Sequence, residues 1–228
     1  GDLNKLRESE DRVPTELHQT TWASERSIEF IQQEREKPWL LNVNIYDPHP
    51  PFTPPHSYAP QLPPNNMPRP HSQDRDLDAQ AKLAHCDFQD EVRTPEEHDA
   101  KGAQARYYAM IAQIDDQFGR ILKALEESGQ RENTVIIFTS DHGESLGDHG
   151  LMYKGCRFYE GLVRVPLIFS WPGNFIQNSQ NNALVEMLDL SATLLNLASV
   201  DLPDYLQGVS LLPILSGQTK DGEHRDFV

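Results

Sequence analysis

Ten of the chain's 17 prolines fall between Pro48 and Pro70. Proline has no N–H to donate and a fixed φ, so neither a helix nor a central strand can occupy these residues. A stretch this long without regular structure is either disordered or functional. Phe52, His56, Tyr58 and Met67 are interleaved with the prolines. Those side chains favour an ordered wall packed over a cleft.

On the N-terminal side of the wall, residues 1–20 are polar and read as a loop. A helix is expected from Trp22 to about Glu36, with apolar Ile28, Phe30 and Ile31, and Pro38 stops it. Trp39–Tyr46 then reads as a largely buried strand whose carboxyl end carries Asp47-Pro48-His49-Pro50-Pro51-Phe52. Beyond the wall, residues 71–97 are mixed and polar, with a short helix around Asp76–Ala84. Asp99–Glu127 is a long helix: Tyr107, Ile111, Ile114, Phe118, Ile121 and Leu125 recur at steps of three and four, and Gly129 ends it. Asp115 and Asp116 point about 100° apart on such a helix, so they read as solvated or structural rather than as a metal pair.

A second apolar run, Val135-Ile136-Ile137-Phe138, has the unbroken pattern of a strand buried on both faces. It turns abruptly polar at Ser140-Asp141-His142-Gly143, with a second Asp148-His149-Gly150 close behind. Ligands bind beyond the carboxyl ends of strands in open α/β sheets. An Asp oxygen and a His nitrogen at such a point can both ligate a divalent cation, and Gly143 lets the backbone turn away without crowding it. A third strand is expected over Val163–Ser170, where Pro166 implies an edge position or a bulge, followed by a turn at Trp171-Pro172-Gly173. Asn182–Ala198 reads as an amphipathic helix through Leu184, Met187, Leu188, Leu190, Leu194 and Leu195, and a further strand begins near Asp226. Strands separated by helices indicate an α/β layered fold, but three strands are too few to complete such a sheet.

The 228 residues carry 37% hydrophobic side chains, enough for a core, and no apolar run approaches the length needed to span a bilayer. The formal charge of −15, with no Lys/Arg cluster, excludes a general nucleic-acid binder. An anionic small substrate stays compatible with it, because a metal and a few local cations reverse the field within a cleft. Cys86 and Cys156 make neither a disulfide framework nor a Cys-rich zinc site, and one bridge between them is left open.

Four segments together resemble the sulfatase family of the alkaline-phosphatase-like superfamily: DPHPPF at 47–52, YYAMIAQIDDQFGRILKALEESG at 107–129, NTVIIFTSDHGESLGDHGLMYKG at 133–155 and YEGLVRVPLIFSWPG at 159–173. QGVSLLPILSG at 207–217 matches as well, so the resemblance runs from about Trp22 onward. It implies an α/β layered fold with a mostly parallel sheet between helices, here incomplete. It also implies that Asp141 and His142 are ligands of a divalent cation, calcium foremost, with magnesium or manganese as alternatives. His49 resembles the histidine that contacts the sulfate group, and Lys154 the lysine that binds a sulfate oxygen. In that reading the metal polarises the ester, Lys154 and His49 stabilise charge developing on oxygen, and a protonated His49 serves as general acid. His149 is taken as a supporting or structural residue. For Arg157, His56 and Tyr159 ordinary packing or surface roles are preferred over a place lining the cleft.

The match departs from the family at its nucleophile, a formylglycine made from Cys or Ser in a C/S-x-P/A-x-R motif. Cys86 is followed by Asp87-Phe88-Gln89 and Cys156 by Arg157-Phe158-Tyr159. The acidic metal ligands that family members carry near the N-terminus are absent too. The chain, 1–228, is therefore expected to be part of a catalytic domain that lacks the nucleophile-bearing segment, with 218–228 starting a smaller C-terminal domain. The function implied is sulfuric ester hydrolysis through a nucleophile outside this chain. The alternatives are a phosphonate or phosphate ester hydrolase of the same superfamily and a non-catalytic metal-binding relative. Alone, the chain is expected to be inactive, to bind metal weakly and to be poorly stable. The substrate class is a sulfate ester of an aryl, alkyl or glycan group. A periplasmic or secreted location follows from the resemblance, with a cytoplasmic one kept open.

Overall fold

The computed structural model describes residues 13–82, 92–155, 157–220 and 222–226. Cys86 and Cys156, and the strand expected after Asp226, lie outside the described residues. The chain falls into two compact units, Gly1–Gly129 with His142–Arg164, and Gln130–Asp141 with Val165–Val228.

In the first unit, α1 spans Gln19–Ile31. Its N-terminus is closed by His18, whose Nδ1 accepts from the Thr20 N–H at 3.4 Å, and by Asp47. The Asp47 carboxylate accepts from Gln19 Nε2 at 3.0 Å and from the Thr20 hydroxyl. A carboxylate suits this end of a helix, where unpaired N–H groups carry partial positive charge. The helix stops at Ile31, short of Glu36, and beyond it the side chain of Arg35 folds back to the Phe30 carbonyl and stacks on the Phe30 ring, 3.6 Å from its centroid.

The buried stripe of α1 is Thr20, Ser24, Ser27 and Ile31, with Thr21 beside it. Small hydroxyl residues can be buried here because Ser24 and Ser27 donate to carbonyls one turn back, at 3.1 and 2.7 Å. Against this stripe packs the helix expected from the long periodicity. It begins after Asp99, which takes a left-handed conformation at φ 50°. This helix, labelled α3 and spanning Ala100–Glu127, buries Ala103, Met110, Ile121, Ala124 and Leu125. Its stripe is rotated from the expected one. Gln113 and Gln117 are buried, whereas Ile111 is 37% exposed. The reason is the partner: Gln113 Nε2 donates to Thr21 Oγ1 at 3.3 Å, so a hydroxyl-lined neighbour accepts amides where an apolar one would not.

Trp39–Tyr46 differs from the buried strand expected of it. Exposure alternates with period two, Trp39, Leu41, Val43 and Ile45 half-buried, Leu40 and Tyr46 77% and 53% exposed. The segment joins no ladder among the described residues, and a strand exists through its hydrogen-bonded partner. The proline-rich stretch is ordered, with short 3-10 turns at Ala59–Gln61 and Pro64–Asn66 packed on α3 and Phe52, Tyr58 and Met67 buried. The Tyr58 hydroxyl donates to Asp116 at 2.8 Å. Helix α2 covers Asp74–Ala81, two residues earlier in its start than expected, with Gln73 and Asp76 forming a capping box. A short helix α4 occupies Glu160–Val163.

In the second unit, β1 (Ile136–Thr139) pairs antiparallel with β2 (Leu167–Ser170), Ile136 opposite Ser170 and Thr139 opposite Leu167. An antiparallel pair is compatible with a mostly parallel class, since mixed sheets carry such pairs. β1 is half-buried throughout rather than buried on both faces. Pro166 lies just before β2, which spares the ladder a missing donor. Helix α5 is Leu188–Leu197, shorter than expected, and α6 is Leu212–Leu215. The residues before Leu188 are drawn into a turn, where Asp189 accepts from the Glu186 and Val209 N–H groups, both at 2.8 Å. No helix among the described residues is long and apolar enough to cross a membrane.

Candidate active site

The residues after Asp141 form a narrow backbone lattice in the first unit. The N–H groups of Ser145, Leu146 and Gly147 bond to the carbonyls of Tyr153, Met152 and Leu151 at 3.1, 3.1 and 2.7 Å. On the other flank Gly143 and Glu144 bond to Leu162 and Gly161 at 2.8 and 3.1 Å. Gly143 is required by this close approach: a Cβ there would lie 1.9 Å from the Gly161 carbonyl oxygen. A side chain at 144 is thereby brought opposite one at 154.

Lys154 takes that position. Its Nζ lies 3.4 Å from Glu144 Oε2, the two side chains being 27% and 3% exposed. Burial pushes the Glu144 carboxyl above its ordinary range, and the charges of Lys154 and His142 pull it back. Glu144 Oε1 is buried without a hydrogen-bond partner.

His49 sits on the proline-rich wall, exposed, its N–H bonded to the Tyr46 carbonyl at 3.1 Å and its Nδ1 2.7 Å from the Pro50 carbonyl. The Tyr46 ring lies 4.7 Å from it. Three residues on, Phe52 packs on Tyr107 of α3 at 5.7 Å and on Tyr153 at 6.3 Å. The wall that carries His49 thus packs on the turn that carries Lys154, through a core of Phe52, Ala100, Ala103, Met110 and Met152. The base of the wall is tied to α1 by Asp47.

His142 opens this unit's second segment, exposed, with Nδ1 2.8 Å from the Gly143 carbonyl. Asp141 ends the first segment of the second unit, two residues past β1, at the strand end where it was expected. Among the described residues no group of three or more His, Cys, Asp and Glu side chains converges to hold a metal. Asp141 and His142 are a carboxylate and an imidazole, donor types that a divalent cation accepts.

Sequence reasoning missed Glu144 and the surroundings of His149. The His149 ring stacks on Tyr159, 3.9 Å between centroids, and its Nδ1 lies 3.3 Å from Asp76 of α2. Gln80, also on α2, donates to the Tyr159 hydroxyl at 2.6 Å and accepts from Arg157 Nε at 2.9 Å. A cavity of about 210 Å³ opens beside this cluster, lined by His71, Ser145, Asp148, His149, Tyr159 and Glu160, with Gly161 and Leu162. Tyr159, which lines the cavity, and Arg157 are both held by Gln80 of α2, while His56 is exposed. The sole sequence signal for the cluster was the repeat of Asp-His-Gly at 148–150.

Known proteins share this architecture. A model of the sulfatase family matches residues 6–200. The arylsulfatase of Clostridium perfringens is 34% identical over 221 residues, covering 93% of this chain and 44% of that protein. The multifunctional alkaline phosphatase superfamily protein PehA of Trinickia caryophylli is 31% identical over 220 residues, 90% of this chain and 43% of its own length. Among solved structures, the phosphonate monoester hydrolase of Agrobacterium radiobacter superposes with a TM-score of 0.80 at 29% identity, over 95% of this chain and 45% of that one. The chain spans less than half the length of each of these relatives. Its helices and strand pair are part of the layered α/β fold that those structures have, and the chain belongs to the sulfatase family of the alkaline-phosphatase-like superfamily.

Proposed function

We propose that the protein carrying this chain hydrolyses sulfate monoesters, with Lys154 and His49 at the ester. The observation that carries this reading is the packing of Phe52 on Tyr153, which sets the wall of His49 against the turn of Lys154. The Lys154 ammonium binds a sulfuryl oxygen as a point charge. His49 donates to the ester and, when protonated, delivers a proton to the departing oxygen, a role suited to imidazole near neutral pH. Asp141 and His142 contribute two ligands to a divalent cation, calcium foremost, whose charge would polarise the sulfuryl oxygens. The nucleophile in this reading is a formylglycine that these 228 residues do not supply, since neither Cys86 nor Cys156 stands in the required motif.

The arylsulfatase relative supports a sulfate ester as substrate. The likeness to a phosphonate monoester hydrolase supports a second reading, hydrolysis of phosphonate monoesters at the same site. Turnover of an aryl sulfate and an aryl phosphonate monoester by the complete protein separates the two. Sulfatase activity should vanish on chelation and return with calcium. Turnover that survives chelation, or is unaffected in Lys154→Ala, would sink the assignment. The isolated 228-residue chain should turn over neither ester.

A further inference from the structure

The hairpin that presents Lys154 also carries a counter-charge that the chemistry above does not use. Glu144 lies almost wholly buried, 3.4 Å from the lysine ammonium, and its other oxygen has no hydrogen-bond partner. Backbone bonds on both flanks hold it in place, to Gly161 on one side and from neighbouring Ser145 to Tyr153 on the other. An exposed ion pair would contribute little. A carboxylate that is desolvated beside one cation changes what that cation offers to an incoming anion.

We propose that Glu144 is a positioning and specificity residue that fixes the Lys154 ammonium and offsets its charge, so that the site takes singly charged tetrahedral esters over doubly charged ones. The inference rests on the reading of Lys154 as an oxyanion-binding residue. A lone ammonium attracts a dianion about twice as strongly as a monoanion at the same distance. With a carboxylate 3.4 Å from it, the second negative charge gains little from Lys154 and is repelled by Glu144. Sulfate monoesters and phosphonate monoesters both carry one negative charge, whereas a phosphate monoester carries two above its second ionisation near pH ~6. Glu144 would thus admit the substrates of both readings above and discriminate against phosphate monoesters.

Two inert probes of one shape test this on the complete protein: benzenesulfonate, singly charged, and phenylphosphonate, doubly charged well above its second ionisation. Neither contains an ester bond, so binding is read by calorimetric titration without turnover. Glu144→Gln, which keeps the shape and removes the charge, should shift the affinity ratio toward phenylphosphonate by about tenfold. Glu144→Asp keeps the charge and should retain the wild-type ratio. Lys154→Ala should weaken both probes. A Glu144→Gln ratio equal to wild type, with Lys154→Ala weakening both, overturns this inference and leaves the assignment of Lys154 standing. Unchanged binding of both probes in Lys154→Ala overturns that assignment and this inference with it.

Discussion

The imidazole of His149 lies nearly parallel to the Tyr159 ring, 16° between planes. Through these two side chains helix α2 grips both ends of the segment that carries Lys154, since His149 precedes the lysine and meets Asp76, while Tyr159 follows it and meets Gln80. Gln80 is 1% exposed, so its amide depends on Tyr159 for a partner. Tyr159→Phe leaves that donor buried and unpaired, and should lower stability by about 1–3 kcal/mol. Urea denaturation of the complete protein measures it. A loss below a few tenths would mean that the bond has no energetic weight.

Acid should loosen the same grip. Burial acts to raise the Asp76 carboxyl, but the Gln73 N–H and His149 outweigh it and hold the carboxyl below its ordinary 3.8. A depressed folded-state value means that Asp76 stabilises the fold above its unfolded value and ceases to as pH falls through the folded one. Asp76→Asn should therefore be less stable than wild type at neutral pH, and the gap should close at pH below about 3.8. Denaturation midpoints at the two pH values decide. A constant gap would show that the charge is irrelevant.

Tyr58 gives a spectroscopic handle on the proline-rich wall. Burial, then its hydrogen bond to the Asp116 carboxylate and the charge there, push the phenol up from 10.0 to about 12. A raised phenol stabilises the fold below its unfolded value and is lost as pH climbs through the folded one. Ultraviolet titration should show a late-ionising tyrosine that ionises earlier in Asp116→Asn, with the part of the shift due to burial retained. Ionisation of every tyrosine near pH ~10 would contradict the buried bond.

Asp189 is the buried hub of the second unit, fully inaccessible and paired with His224 at 3.3 Å and with the guanidinium of Arg225. Asp189→Asn removes the charge shared by His224 and Arg225, while Glu186 still pairs with Arg225, for an expected loss of roughly 1–3 kcal/mol. Replacing Arg225 as well should recover part of it. A single-variant loss under about 1 kcal/mol, by denaturant titration, would show the pair to be dispensable.

Much of this architecture could be read from residue patterns. Helix α3 followed from its spacing because i, i+3 and i+4 repeats report a helix whatever it packs against. Which face is buried did not follow, since the choice of Gln113 over Ile111 was made by the hydroxyls of α1. Trp39–Tyr46 has strand chemistry, but strand status belongs to a pair of segments and composition describes only one. The place of Asp141 and His142 just past β1 was legible because an apolar run ending in polar residues marks a strand terminus. Glu144 was not, although it stands two residues further on. Its burial and its meeting with Lys154 come from the register of the turn between them, set by carbonyls that have no sequence signature.

The interface between α1 and α3 has a calorimetric consequence. Thr20, Thr21, Ser24 and Ser27 share the buried stripe of α1 with Ile31, and Thr21 takes the Gln113 amide, so parting the two helices wets hydroxyls and amides as well as hydrocarbon. Exposed polar surface lowers the heat capacity where apolar surface raises it, by about −0.26 against +0.45 cal/K/mol/Å². Detachment of α1 should thus have an enthalpy that changes less with temperature than apolar surface alone would give. Loss of the Phe52–Met110–Met152 core should have one that rises steeply.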